Sequence, residues 1–154
     1  MITQQTRDHF RFRSYQRAAL AARQKGIKRF VCVWHRRAGK DRTWLAITLL
    51  EMLQKRGVYF HIFPSLNQGR RDLWDNIISE RVDGVEQQYP MLDMFPKEVI
   101  APGGINETEM QIKFRMGSIW QIMGADSEDA ISRLRGPNPV GIVLSEYGIM
   151  LPST

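Results

Sequence analysis

The fold is decided by the stretch Arg36-Arg37-Ala38-Gly39-Lys40-Asp41 and by what stands on either side of it. The apolar run Phe30–Trp34 precedes it and predicts a strand, and a long helical pattern follows it. A strand, a tight Gly-Lys turn and a helix form the arrangement that wraps the phosphates of a nucleotide. Backbone N–H groups and the helix N-terminus face the anion there, and the lysine reaches the terminal phosphates. The stretch therefore predicts a phosphate-binding loop.

This loop departs from the usual pattern G-x-x-x-x-G-K-[S/T] at two positions. Trp34 stands where the first glycine belongs, and Asp41 replaces the hydroxyl residue that would hold magnesium. Asp41 has two interpretations, which are contact with the metal, direct or through water, and capping of the helix start. Thr43 is a substitute hydroxyl. Taken alone, the loop is also compatible with a solvated basic turn.

A second half of the site is expected near the other end of the chain. The apolar run Val140–Leu144 predicts a strand buried on both faces, as in parallel sheets, and it leads into Ser145-Glu146. The carboxyl end of such a strand is where open α/β sheets bind ligands. ATPases of this class have Asp-Glu there, with the Asp assisting magnesium and the Glu polarising the attacking water. Ser145 replaces the first carboxylate and Glu146 keeps the second, so we expect Lys40 and Glu146 to converge on one triphosphate pocket.

The remaining pattern predicts an α/β fold of the P-loop NTPase type, with a mostly parallel sheet flanked by helices and an antiparallel β-hairpin. Residues 1–10 are expected to be flexible and residues 11–154 to form one domain that is incomplete at its C-terminal end. The predicted helices are Ser14–Lys25, the segment after the loop to near Gly57, Asn67–Arg81 and Asp126–Arg133, with 84–96 irregular or only briefly helical. The predicted strands are Arg29–Trp34, Val58–Phe63, a short one at Val99-Ile100, the hairpin Met110–Phe114 with Ser118–Met123 turning at Met116-Gly117, and Val140–Leu144.

Composition sets wide limits on the function. The chain has 154 residues, of which 43% are apolar, and a formal net charge of +6, which implies attraction to polyanions. Its single cysteine, Cys32, lies in an apolar run and is expected in the core, so no internal disulfide can form. No run approaches the roughly twenty apolar residues needed to span a bilayer, so no membrane partner is expected.

Four motifs, in order, resemble the ATPase domain of tailed-bacteriophage terminase large subunits, the motors that package viral DNA. Together they cover roughly residues 10–150, and Met116 replaces the family's Asn in the hairpin. Such subunits continue into a coupling motif and a nuclease domain, whereas this chain stops at Thr154, so no nuclease activity is expected. The motifs are the adenine-contacting segment Phe12–Arg17, the arginine-containing loop His35–Asp41, the hairpin Gly117–Asp126, and the Arg-Gly motif Arg133–Gly136 followed by the acidic strand Val143–Tyr147.

The resemblance implies ATP and Mg²⁺ as cofactors and gives each residue a role. Glu146 would orient the water, Lys40 would contact the β- and γ-phosphates, and Arg135 would act as an arginine finger in a neighbour's site, with Arg133 as a competing candidate. Asp41 and Ser145 would contact the metal. The nucleotide-binding set is Tyr15, Gln16, Arg36, Arg37, Ala38, Gly39, Lys40, Asp41 and Arg42.

Several of these roles have plainer alternatives. Tyr15 and Gln16 are expected to contact adenine, yet an amphipathic helix also explains Tyr15. Arg36 or Arg37 would sense the γ-phosphate, or both would form a basic surface corner. Arg135 is a finger or a solvated loop arginine.

The resemblance also implies partners and a place of action. These are double-stranded DNA, a terminase small subunit, a portal protein and a homo-oligomeric ring, in the cytoplasm of an infected or lysogenic bacterial host. Two other functions stay open. One is a helicase-like nucleic-acid translocase core, and the other is a non-catalytic nucleotide- or DNA-binding prophage remnant, which Asp41, Ser145 and the C-terminus favour.

Overall fold

The computed structural model describes residues 12–126, 132, 136 and 138–150. Helix α1 spans Ser14–Gln24 and helix α2 spans Lys40–Gln54. The α1 helix begins where the Gln16 side chain accepts the Arg13 N–H at 2.9 Å, which satisfies one of the free donors of a helix start. None of the helices in these ranges has the length and apolar character needed to cross a bilayer.

The other elements follow α2 in close succession. In chain order they are β1 Val58–Phe63, α3 Leu66–Gly69, a π-helical turn Arg70–Trp74, β2 Ile77–Val82, β3 Val85–Pro90, the 3₁₀ turns Met91–Met94 and Lys97–Val99, β4 Ile100–Asn106, β5 Gln111–Phe114, β6 Ile119–Gly124, β7 Gly141–Leu144 and the 3₁₀ turn Tyr147–Ile149.

The described strands form a five-stranded sheet in the order β4-β5-β6-β1-β7 and a separate β2-β3 pair. Strand β1 pairs in parallel with β6 and β7, whereas β5 is antiparallel to both of its neighbours. Four strands of the larger sheet therefore run in one direction and β5 runs against them. The predicted hairpin is confirmed, with Gly117 at φ 86° in its turn. The sheet is thus mixed but mostly parallel, and it is flanked by helices.

Strand β1 is the centre of the core. Its residues alternate between the two faces of the sheet, as strand geometry requires. Tyr59 and Phe63 belong to the larger apolar cluster, which includes Leu45 of α2 and Trp120 of β6. Phe60 and other residues of the opposite face form a smaller cluster. Because β1 is buried on both faces, its carboxyl end is held firmly where a site can form.

The predicted strand Arg29–Trp34 is wrong. Residues 27–35 all lie in the described part of the chain and form neither helix nor strand. Val31 and Val33 are 92% and 90% exposed, while Phe30 packs its ring 5.4 Å from that of Trp44 on α2. The aromatic side chains hold this segment to the helices, so its apolar character is satisfied in part without strand pairing. Cys32 is accordingly only half-buried rather than in the core.

The predicted helix Asn67–Arg81 is right only in its first half. Helical backbone ends at Trp74, and β2 follows. Strand β3 pairs with β2 in a region predicted to be irregular. The two residues between them, Asp83 and Gly84, have φ of 51° and 84°. An Asp-Gly pair with positive φ at both positions is a favoured two-residue hairpin turn, and this local signal outweighs the helical periodicity.

The last predicted strand, Val140–Leu144, forms as β7 but is less buried than expected. Strand β7 pairs only with β1 among the described strands, and its Ile142 and Leu144 are 50% and 47% exposed. The expectation of burial on both faces is therefore wrong, because Ile142 and Leu144 lie on the same face of β7 and that face stays half-exposed. The predicted helix Asp126–Arg133 lies outside the described residues except at its first residue and at Ser132.

Candidate functional site

The two sequence segments that were expected to share a site meet in the structure. Lys40 Nζ lies 3.1 Å from Glu146 Oε1, and both side chains are partly exposed. Lys40 is the first residue of α2, and Glu146 follows the carboxyl end of β7 by two positions. A cation and a carboxylate are thus placed side by side at the edge of the sheet where ligands of open α/β folds bind.

The loop before Lys40 is held by helix α1. Gly39 has φ of 75°, a conformation that favours glycine, and it is the N-cap of α2. The carbonyl of the buried Ala38 accepts hydrogen bonds from the Tyr15 hydroxyl and from Gln16 Nε2, both at 2.9 Å. A Cβ on Gly39 would lie 3.0 Å from Gln16 Nε2. The loop and α1 therefore approach each other as closely as a glycine allows.

These contacts give Tyr15 and Gln16 a definite place. Gln16 is buried, and both ends of its amide are engaged, with Arg13 N–H and Ala38 carbonyl as partners. Tyr15 is half-exposed and packs edge-on against Trp34 at 5.6 Å. The two residues anchor the loop, and their contact with adenine stays a prediction.

Asp41 and Ser145 form the second pair of the site. The Ser145 hydroxyl donates a short hydrogen bond to Asp41 Oδ1. Ser145 is itself fixed by its backbone N–H, which donates to the Ile62 carbonyl at 2.9 Å and so extends the β1–β7 ladder. Thr43, the alternative hydroxyl, is buried and donates to the Gly39 carbonyl at 2.8 Å, so it braces the loop instead.

His61 of β1 completes this cluster, although none of the sequence motifs points to it. Its Nε2 lies 3.0 Å from Ser145 Oγ and 3.5 Å from Asp41 Oδ1, and its side chain is fully buried. Burial raises the pKa of Asp41, but the nearby His61 imidazole, the hydrogen bond from Ser145 and the charge of Lys40 outweigh that effect, so the pKa is lowered. Asp41 is therefore held as a carboxylate. An ionisable side chain in the middle of an apolar strand is the signal that would have pointed to His61.

Backbone strain also marks the site. Four non-glycine residues in the described ranges have positive φ, and two of them lie in the site: Arg37 in the loop before Lys40, and Glu146 in the ion pair itself. Such conformations cost about 1–3 kcal/mol each and persist where the surrounding structure enforces them. Arg36 and Arg37 are exposed within the loop.

Arg42 contacts the β2-β3 pair in this structure, and its contact with nucleotide stays a prediction. Its guanidinium forms a two-pronged ion pair with Glu80 of β2, at 2.5 and 3.1 Å, and also donates to the Tyr89 hydroxyl of β3 at 2.8 Å. Burial and the Glu80 hydrogen bond raise the pKa of Tyr89, which stays a neutral donor. Arg42 therefore ties the β2-β3 pair to the start of α2. Arg133 and Arg135 lie outside the described residues.

The donor set is suited to magnesium rather than to a metal held by the protein alone. Among the residues that the structure describes, no group of three or more His, Cys, Asp or Glu side chains is placed to hold a metal ion. Magnesium in nucleotide sites takes one or two protein oxygens and completes its shell with phosphate oxygens and water. Asp41 and Ser145 supply oxygens of that kind, so these residues fit the ion.

Comparison of the chain with protein-family models, with curated proteins and with solved structures gave no match.

Proposed function

We propose that this chain is the ATP-binding and ATP-hydrolysing motor domain of a tailed-phage terminase large subunit, which packages double-stranded DNA into capsids. The observation that carries the proposal is the 3.1 Å contact between Lys40 Nζ and Glu146 Oε1. A phosphate-hydrolysing site needs a cation for the phosphate oxygens and a carboxylate for the attacking water. These two groups are 106 positions apart in the chain and are adjacent at the carboxyl end of parallel strands.

The geometry suggests how the site changes when ATP enters. The N–H groups at the start of α2 would donate to the phosphates, assisted by the helix dipole. Lys40 would exchange the Glu146 carboxylate for the β- and γ-phosphate oxygens. The released Glu146 would then accept a hydrogen bond from the attacking water and orient it. In this scheme the ion pair of the free site keeps the general base occupied until nucleotide arrives.

The metal and the outer charges complete the proposed site. Asp41 and Ser145 would hold Mg²⁺, which when bound neutralises charge on the phosphate oxygens. Arg36 and Arg37 would add positive charge near the γ-phosphate. Arg135 would enter the site of a neighbouring subunit as an arginine finger, so hydrolysis would need a homo-oligomeric ring.

The partners belong to the same proposal. A net charge of +6 favours contact with a nucleic-acid backbone, which is salt-dependent and independent of sequence. The motor would act on double-stranded DNA together with a terminase small subunit and a portal protein, in the cytoplasm of an infected or lysogenic bacterial cell.

An ATPase assay on the purified chain tests the proposal, with Lys97→Ala and Glu98→Gln as matched controls on an exposed 3₁₀ turn. We expect turnover that rises with protein concentration and with double-stranded DNA. Glu146→Gln should lower turnover by about 100-fold or more, the size expected for loss of a general base. Lys40→Ala should abolish it, and the two controls should leave it unchanged.

Two results would favour an alternative function, and a third would refute the proposed site. ATP binding without turnover would favour the non-catalytic remnant. Stimulation by single-stranded but not double-stranded nucleic acid would favour the helicase-like translocase. Turnover that survives both Lys40→Ala and Glu146→Gln would place the activity in a contaminant and refute the proposed site.

A further inference from the structure

The two departures of the loop and the acidic strand from the usual pattern compensate each other. The usual site pairs a hydroxyl on the loop with a carboxylate on the strand. Here Asp41 supplies the carboxylate from the loop, and Ser145 supplies the hydroxyl from the strand. The hydroxyl–carboxylate contact is still made, because Ser145 Oγ donates to Asp41 Oδ1. The carboxylate and the hydroxyl have exchanged positions between the loop and the strand, and the contact between them is kept.

In this exchanged pair the Ser145 oxygen needs a hydrogen-bond donor, and His61 is placed to supply one. In the exchanged arrangement the Ser145 hydroxyl must donate to Asp41. The direction in which this hydroxyl points therefore depends on the group from which its oxygen accepts a hydrogen bond. His61 Nε2 lies 3.0 Å from that oxygen, and its side chain is fully buried on the central strand. The imidazole is the group that can fix the direction of the serine hydroxyl.

The other ring nitrogen settles which way the hydrogen bonds run. His61 Nδ1 is buried and makes no hydrogen bond in the described part of the chain. A buried N–H without an acceptor loses its hydrogen bond to water and gains none in return, so a proton on Nδ1 is disfavoured. The proton is then on Nε2, which makes His61 the donor to Ser145. The resulting chain is His61 N–H to Ser145 oxygen, and Ser145 O–H to Asp41 carboxylate.

Packing fixes the orientation of the His61 ring. It stacks on Phe63 with a centroid distance of 5.1 Å and an interplanar angle of 14°, and Trp120 approaches edge-on at 6.5 Å. A side chain locked by packing is what supports a precise ligand position. The Asp41 carboxylate has about four acceptor positions, so the Ser145 bond leaves others for a cation.

We propose that His61 is a positioning residue that acts through Ser145 to orient Asp41 as the cation ligand of a site in which carboxylate and hydroxyl have exchanged places. This inference rests on the proposed function, because it takes Mg²⁺·ATP as the ligand. His61 itself touches neither nucleotide nor metal. Outer contacts of this kind are worth about 10-fold to 100-fold in metal affinity.

Equilibrium binding of a non-hydrolysable ATP analogue, titrated with and without Mg²⁺, tests the proposal. His61→Phe should raise the Mg²⁺ concentration needed for half-maximal tightening by about 10-fold or more, and should change metal-free affinity by less than about two-fold. His61→Gln, whose amide N–H can replace Nε2, should restore most of the effect. Tyr59→Phe, which removes a buried polar group from the same strand at a place away from the site, is the matched control and should leave the Mg²⁺ dependence unchanged.

Two further readouts distinguish a positioning role of His61 from a packing role. In a Ser145→Ala background, His61→Phe should add less than about two-fold, because residues that act as one unit are not additive. Nitrogen NMR of the free chain should show a proton on Nε2 of His61.

Several results would overturn the inference. These are an unchanged Mg²⁺ dependence in His61→Phe, additive effects with Ser145→Ala, or a proton on Nδ1. If His61→Phe does not fold, His61→Gln carries the test, and a Gln variant that weakens metal-free and metal-dependent binding equally indicates a packing role only. Failure of the proposed function has a different signature, which is a wild-type chain whose analogue binding is insensitive to Lys40→Ala.

Discussion

Two segments of this chain, Arg29–Trp34 and Val58–Phe63, have similar apolar sequences and opposite environments. Val58–Phe63 becomes β1, which has a parallel neighbour on each side and is buried on both faces. Arg29–Trp34 joins no strand, leaves Val31 and Val33 exposed, and is held through its aromatic rings. The difference shows that apolar sequence predicts burial only where partner strands are available. It also matters for function, because the unpaired segment leads directly into the loop that presents Lys40.

The largest contrast should appear in amide hydrogen exchange. The amides of Val58–Phe63 are bonded to two neighbouring strands, so they should exchange only on global unfolding, which costs about 5–15 kcal/mol in typical domains. The amides of Arg29–Trp34 should exchange at close to the unprotected rate. Exchange followed by mass spectrometry measures both in one experiment. Equal protection of the two segments would mean that the second is a strand after all.

The next contrast is in stability. Phe63→Ala should lower the free energy of unfolding by about 3–5 kcal/mol, because it removes a fully buried ring from the central strand. Val31→Ala should change it by less than about 0.5 kcal/mol, since the side chain is solvated in the folded state. Urea unfolding of both variants measures the difference. A Val31→Ala loss of 2 kcal/mol or more, roughly the size of core truncation, would contradict the exposed position.

Gly26 and Gly39 lie on either side of the unpaired segment and form a matched pair for substitution. Gly26 and Gly39 have φ of 87° and 75°, so alanine at either position should cost about 1–2 kcal/mol in backbone conformation. Only at Gly39 would the new Cβ meet a neighbour, Gln16 Nε2 at 3.0 Å, while nothing lies within 4 Å at Gly26. Gly39→Ala should therefore lower the midpoint of thermal unfolding more than Gly26→Ala. The reverse order would place the loop away from α1.

A smaller effect is expected from pH. The lowered pKa of Asp41 means that its carboxylate stabilises the folded state at pH values above the ordinary carboxyl pKa of about 4. That contribution is lost as the pH falls through the lower pKa of the folded state. Asp41→Asn should remove it, so the variant should lose less stability than wild type between about pH 5 and pH 3. Parallel stability curves would contradict the contacts of Asp41 with Ser145 and His61.

Much of the fold could be predicted because its signals are local. The apolar run Val58–Phe63 ended by Pro64, and the alternation around Met116-Gly117, each specify an element without reference to the rest of the chain. The meeting of Lys40 and Glu146 was predicted correctly, although the strand expected before Lys40 does not form and α1 holds the loop instead.

The remaining features depend on distant or competing contacts. Whether Arg29–Trp34 pairs depends on neighbours far away in sequence. The Asp83-Gly84 turn was available as a signal, but the apolar spacing through Ile78 favoured a helix. The contacts of His61 could not be predicted, because only the folded sheet brings Ser145 and Asp41 to 3.0 and 3.5 Å from its Nε2.

The central claim is that Lys40 and Glu146 share one phosphate site, and the affinity of a non-hydrolysable ATP analogue tests it most directly. Lys40→Ala should weaken binding by about 10-fold or more, since a charged hydrogen bond contributes about 1.5–3 kcal/mol. Glu146→Gln should tighten binding by about 1.4-fold to 5-fold, because it frees Lys40 from an exposed ion pair worth about 0.2–1 kcal/mol. Opposite directions for the two variants are the predicted result. Two unchanged affinities, or two losses of equal size, would contradict the account.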